Sequence, residues 1–311
     1  MSTIEKALAK QKQSKLNIKD GLNAEAMQGG QQNDVILPSN TEIKKQNNNT
    51  PISEQESMLN KDNLKQTECI TLDGDNLNER GFIFSSNSSH HIQEEFRHIK
   101  RKLINNAFGP AAKTLRHSNL IMVSSSNPNE GKTFISINLA LSIALEQDKT
   151  VLLVDADVLR PSLHRELQFE SKEGLLEYLL GEVPSLSDVI YNTNVVNLKL
   201  IPAGKAHHLT NELLASTKMA TLAKELAQRY PDRIVIFDCP PILGVTETPV
   251  LSSLVGQAVV VVEESKTKLD DVKKAVSQLD EDIAVGFVMN KAVRSKKDGY
   301  GYYGYGYKKN Q

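Results

Sequence analysis

A chain of 311 residues, 39% apolar and 24% charged, can bury one large core or two small ones. Its net charge of −1 excludes a bulk electrostatic attraction to nucleic acid or anionic lipid. Two distant cysteines, Cys69 and Cys239, suit a reducing cytoplasm better than a disulfide scaffold, and no apolar run approaches the roughly 20 residues of a membrane-spanning helix.

At the N-terminus, Lys6, Lys10 and Lys12 interrupt any apolar region, so a secretory signal is not expected. Ser2 and Glu5 have capping-box spacing, and Ile4, Ala7 and Leu8 share a helical face. A short helix over 1–13 is predicted, too short to be stable alone and suited to docking on a partner. Residues 14–84 are rich in Gln and Asn, as in Asn47-Asn48-Asn49, and poor in apolar residues. Such a stretch buries too little surface to offset its ordering entropy, and it reads as a disordered linker with two small apolar islands, Val35-Ile36-Leu37 and Gly81-Phe82-Ile83-Phe84, the second expected to pack onto the domain edge.

A helix is predicted from Ser88 or Ser89 to about Asn106. Ile92, Phe96, Ile99 and Leu103 recur at helical spacing, and the opposite face carries Glu94, Arg97, Lys100 and Arg101. From Ser118 onward, strands are predicted at 118–123, 151–155, 196–201, 233–238, 257–263 and 283–289. Helices are predicted at 132–146, 172–180, 212–229, 247–254 and 268–280. The strands are short and apolar on both faces, as in a buried parallel sheet, so 85–295 reads as a doubly wound α/β domain. Ligands of such sheets bind at the carboxyl ends of the strands. Residues 296–311 form a tail rich in Gly and Tyr, with hydroxyls at Tyr300, Tyr302, Tyr303, Tyr305 and Tyr307.

Three motifs end strands. After Leu120–Val123 comes Ser124 to Thr133, in which Gly131-Lys132-Thr133 is the core of a phosphate-binding loop opening a helix. Backbone N–H groups and the helix dipole would attract an anion there. Lys132 would reach the β- and γ-phosphates, and the Thr133 hydroxyl would bind Mg²⁺. Ser126 stands where the usual pattern has its first Gly. Asp155 and Asp157, spaced i, i+2, follow Val151–Val154; beside Mg²⁺ one can serve the metal and the other accept a proton. Asp238 follows Ile234–Phe237 in a Walker B arrangement that orients Mg²⁺ or its water. Cys239 beside it reads as a packing residue, and Asn290, at the end of the last strand, is placed to contact adenine. His90-His91 and His207-His208 are adjacent pairs whose side chains are expected to diverge, which argues against metal binding.

Taken together, Asn127-Pro128-Asn129-Glu130-Gly131-Lys132-Thr133, Asp155-Ala156-Asp157 with Arg160-Pro161, Asp238-Cys239-Pro240-Pro241 and the tyrosine cluster resemble the bacterial tyrosine kinases. These are P-loop autokinases of polysaccharide export, and the closest resemblance is to the exopolysaccharide-associated autokinase branch. The resemblance covers about residues 88–311 and the N-terminal peptide. It implies ATP and Mg²⁺ as cofactors, with nucleotide held by residues 127–133, Phe134 and Asn290. It implies that Thr133, Asp157 and Asp238 serve the metal, that Asp155 is the base, and that the five tail tyrosines are the phosphoacceptors. It further implies a homo-oligomeric ring joined through a Glu-x-x-Arg-x-x-Arg helix. Here Glu94, Arg97 and Lys100 take that spacing, with Arg101 next door. A separate membrane partner of the chain-length-determinant type, a tyrosine phosphatase and a place at the inner face of the plasma membrane complete the expectation. Partition-type ATPases of the same fold are the main alternative, but their signature lysine is matched here by Asn127, and they lack such a tail. A non-catalytic, nucleotide-gated scaffold is a further alternative.

Overall fold

The computed structural model describes residues 68–84, 90–208, 210–230 and 232–293. The expected docking helix, most of the expected linker and the tyrosine tail lie outside these residues.

Eight strands form one sheet. They are β1 (Cys69–Ile70), β2 (Leu120–Ser125), β3 (Thr150–Asp155), β4 (Tyr191–Thr193), β5 (Leu198–Ile201), β6 (Arg233–Asp238), β7 (Gln257–Glu263) and β8 (Ala284–Asn290). Their spatial order is β1-β4-β5-β3-β6-β2-β7-β8. All neighbours run parallel except β4 and β5. The fold is a doubly wound α/β sheet of the P-loop NTPase type, as expected. All of the expected strands occur, with ends shifted by at most two residues.

The central strands β3, β6 and β2 are covered on both faces, which is why their sequences are nearly continuous Val, Ile and Leu. One face carries a core around Met122, Leu152, Val235 and Phe237, and the other a core around Ile121, Leu153, Ile236 and the helix Lys132–Ala144. That helix is apolar around its whole circumference, and its residues from Ile135 to Ala144 are buried. Its interior polar groups have partners: the Asn138 side-chain oxygen accepts from Ile83 N–H at 2.8 Å, and Ser142 C=O accepts from Lys100 Nζ at 2.8 Å.

Three expectations are corrected. The linker does not extend to residue 84, because residues 69–84 belong to the domain. Strand β1 adds to β4, Asp73 caps a helix at Gly74–Glu79, and Ile70, Leu72, Leu77, Phe82 and Ile83 are all buried. Phe82 packs its ring against Phe134 at 5.1 Å, and Arg80 pairs with Glu166. The apolar residues of this segment are sparse in sequence, and their partners lie far along the chain. The second correction concerns Lys100. It is not on the solvated face of the helix His90–Phe108 but is buried, with its ammonium 2.6 Å from Glu146. The expected helix 212–229 is also two helices, Thr210–Leu214 and Thr217–Gln228, divided where Ser216 accepts from Met219 N–H.

Candidate nucleotide and phosphoryl-transfer site

Because β3, β6 and β2 are neighbours, their carboxyl ends meet. Asp155 and Asp238 face one another in register, as do Val123 and Asp238. The loop after β2 then turns into the helix Lys132–Ala144 through Gly131, at φ +95°. That conformation suits glycine, and the space does too: a Cβ on Gly131 would stand 2.0 Å from Asn290 Nδ2. The loop is held from two sides. Glu130 is buried and accepts from Asn127 N–H at 3.0 Å and from the Thr267 hydroxyl. Asn290 Nδ2 donates to Glu130 C=O at 2.9 Å, and Lys291 Nζ donates to Asn129 C=O at 2.7 Å. Asn290, expected to contact adenine, braces the loop in this structure and does not line the cleft described below.

The motif residues converge. Lys132 Nζ lies 2.6 Å from Asp157 Oδ2. Thr133 Oγ1 donates to Asp238 Oδ2 at 2.7 Å and lies 2.8 Å from Ser162 Oγ. Ser136, one helical turn beyond Lys132, donates to Asp238 Oδ1 at 2.9 Å. Sequence reasoning passed over Ser136 and Ser162; the i, i+4 spacing from Lys132 was the available signal for the first.

Asp155 is deeply buried. Only 1% of it is accessible, and its oxygens accept from the N–H groups of Asp157, Ser162 and Leu163 at 3.2, 3.2 and 3.1 Å. A cleft of about 740 Å³ opens over the loop, and Asp157, Arg160, Phe134 and Lys132 line it, with Pro241 and Leu243 opposite. Asp155 and Asp238 lie beneath that lining.

The charges are unbalanced. Burial opposes ionisation of Lys132, but Asp238 and Asp157 outweigh it and hold its pKa above the ordinary value. Burial, then Asp238, pushes Asp155 up to about 8. Burial likewise raises Asp238 and drives the Cys239 thiol well above its usual range, so Cys239 packs rather than reacts. Asp157, Asp238 and the Thr133 hydroxyl that bonds Asp238 are oxygen donors of the kind a hard divalent cation takes. A phosphate chain is equally suited to the loop, whose helix N-terminus and Lys132 supply the positive end.

On the helix His90–Phe108, Glu94 and Arg97 pair with one another and Arg101 is exposed, while Lys100 is turned inward. The rings of His207 and His208 lie 4.2 Å apart rather than diverging.

Known proteins bear on this site. The model of the AAA domain family matches residues 118–282. The tyrosine-protein kinase ptk of Acinetobacter johnsonii is 36% identical over 180 residues, which are 57% of this chain and 24% of that protein. The tyrosine-protein kinase YwqD of Bacillus subtilis strain 168 is 35% identical over 191 residues, 61% of this chain and 79% of that one. The kinase domain of the Escherichia coli tyrosine kinase ETK superposes with a TM-score of 0.60 at 26% identity, covering 72% of this chain and 84% of that domain. The chain thus spans about a quarter of the first relative and most of the second.

Proposed function

The chain belongs to the bacterial tyrosine-protein kinase family, and on that premise we propose that it transfers the γ-phosphoryl group of ATP to tyrosine hydroxyls. Its own tail residues Tyr300, Tyr302, Tyr303, Tyr305 and Tyr307 are the proposed acceptors, reached between subunits, in the service of exopolysaccharide polymerisation and export. The observation that carries this reading is the convergence of Lys132, Thr133 and Asp157 on one cleft, with Asp238 buried beneath it and bonded to Thr133.

Lys132 would leave Asp157 for the β- and γ-phosphates, and the backbone of residues 127–133 would cradle them. Thr133, Asp157 and Asp238 would hold Mg²⁺, directly or through water. When bound, that ion offsets the carboxylate excess and spreads the phosphate charge. Arg160 lines the same cleft and adds positive charge beside the phosphates. For the proton acceptor, the family resemblance favours Asp155, whose raised pKa suits a base. A second reading favours Asp157, because Asp157 lines the cleft and Asp155 does not.

We further propose self-assembly through the helix carrying Glu94, Arg97 and Arg101, recruitment by a membrane chain-length-determinant protein, and reversal by a tyrosine phosphatase. With Lys100 engaged by Glu146 and Ser142, the neighbour-facing charges reduce to the other three. Among the described residues, no helix is long and apolar enough to cross a membrane, so attachment through a partner fits this reading.

Incubation with radiolabelled ATP tests the whole. Labelled phosphotyrosine supports a kinase, free phosphate alone a partition-type ATPase, and binding without turnover in the partner's presence a scaffold.

A further inference from the structure

Strand β8 is an edge. Among the described residues, β7 lies on one side of it and no strand on the other. Ala284 N–H donates to Gly256 C=O, and Asn290 C=O accepts from Glu264 N–H. The even-numbered residues therefore turn their backbone groups to β7, and Val285, Phe287 and Met289 turn theirs outward. The same stretch carries large exposed apolar side chains, Phe287 at 55% and Met289 at 63%, on one face. An apolar edge strand of this kind is a template for another strand, and natural proteins rarely leave it bare.

The chain's own continuation has a matching pattern. Tyr303, Tyr305 and Tyr307 alternate with Gly304 and Gly306, the period that sets side chains on one face of a strand. Lys308 and Lys309 follow directly. At the other end of β8, the turn before it is Asp280-Glu281-Asp282, and all three are exposed.

We propose that residues 302–309 of the same chain add to the free edge of β8 as an antiparallel strand. In the register that fits, Tyr303, Tyr305 and Tyr307 lie opposite Met289, Phe287 and Val285. Those are the residues with outward backbone groups, so each pair exchanges two hydrogen bonds and brings a tyrosine ring beside an apolar side chain. The antiparallel direction also delivers Lys308 and Lys309 to Asp280, Glu281 and Asp282. A parallel addition would carry the lysines away from them. The reach is sufficient: the described chain ends at Val293, tied to Glu264 by its N–H at 2.7 Å, and Arg294 to Gly301 remain to make the turn. Each extended residue spans up to about 3.3 Å, against about 4.8 Å between strands.

The docking does not rest on the kinase reading; its consequence does. Docked tyrosines are held at the sheet edge with their backbone paired, so the tail must peel off before a hydroxyl can enter a cleft. A phosphate adds about −1.5 to −2 charges. Placed beside Phe287 and close to the acidic turn, it opposes re-docking, so modification converts a stored tail into a released one.

Amide hydrogen exchange tests this on the dephosphorylated full chain and on a chain ending at Lys297. Exchange at Val285, Phe287 and Met289 should be slowed by about tenfold or more when the tail is present, and the slowing should disappear on Lys308→Glu/Lys309→Glu substitution. Equal exchange with and without the tail overturns the proposal. Slowing that rises with protein concentration, or that the full chain confers on a tailless one, overturns it in favour of a neighbouring copy. A Lys132→Met chain should show the same slowing, so loss of kinase activity and loss of docking are separable.

Discussion

Lys132 and Asp157 meet at 2.6 Å across the mouth of the phosphate loop. On the proposed reading, the cation for the triphosphate is already paired in the structure, and nucleotide would take it from a carboxylate. Lys132→Met should keep the fold and lower phosphotyrosine formation by about 10² to 10³ or more, the usual loss when one oriented positive donor is removed from such a site. Undiminished autophosphorylation of that variant would show that the site is elsewhere.

The two carboxylates of the β3 turn should separate by kinetics. If Asp155 is the base, Asp155→Asn binds ATP within a few-fold of the parent and loses turnover by about 10² to 10⁴. If Asp157 is, the turnover loss follows Asp157→Asn instead, and Asp155→Asn chiefly loosens the turn that Ser162 and Leu163 close. Single-turnover assays with nucleotide binding measured alongside distinguish the two.

Stability without nucleotide should depend on pH through the same group. The Asp155 carboxyl rises from an ordinary 3.8 to about 8 on folding. The folded chain therefore keeps a proton that the unfolded chain releases. Its contribution is full below about pH 4 and is lost as pH rises through about 8. Asp238 shifts in the same direction. The Tm of the nucleotide-free protein in chelator should fall from about pH 6 to about pH 8, and Mg²⁺ with nucleotide should flatten that slope. A Tm that climbs over this interval would refute the assignment.

The corrected domain start can be checked by truncation. A chain beginning at residue 68 should melt as the full chain does. One beginning at 85 loses Ile70, Leu72, Leu77, Phe82 and Ile83 from the core, each worth about 1.5–3 kcal/mol of burial. That is comparable with the about 5–15 kcal/mol by which a domain is stable. Equal melting of the two chains would return this segment to the linker.

For the N-terminal peptide, Ile4→Asp with Leu8→Asp should leave the activity of the isolated protein unchanged and reduce its recruitment to membranes in cells. Fluorescence localisation of a tagged chain reads this directly, and unchanged recruitment would make the peptide a bystander.

The parts of the fold legible in the sequence were those whose partners are numerous and apolar. Val151–Val154 and Ile234–Phe237 are buried on both faces, so their runs identify them without knowledge of their neighbours. The two-residue strand β1 and the three-residue β4 have no such run and exist through each other and β5. For Lys100, position in the helix outweighs charge. It falls in the stripe of Phe96, Leu103 and Ala107, and its ammonium serves the carbonyl end of the helix Lys132–Ala144 at Ser142. The site's membership followed from strand ends and motif spacing. Its depth did not, because Asp155 is bonded by backbone N–H groups that any residue but proline could supply.

Asn290 donates to Glu130 C=O from the last position of β8. It fastens the anion-binding loop to the end of the strand whose free edge is proposed to carry the tail. Any influence of a seated tail on the loop therefore passes through this contact and that of Lys291 with Asn129. Whatever factor a seated tail applies to nucleotide affinity, bound nucleotide must apply to the seating of the tail. Asn290→Ala together with Lys291→Ala should cut that reciprocity, leaving each event to proceed without news of the other.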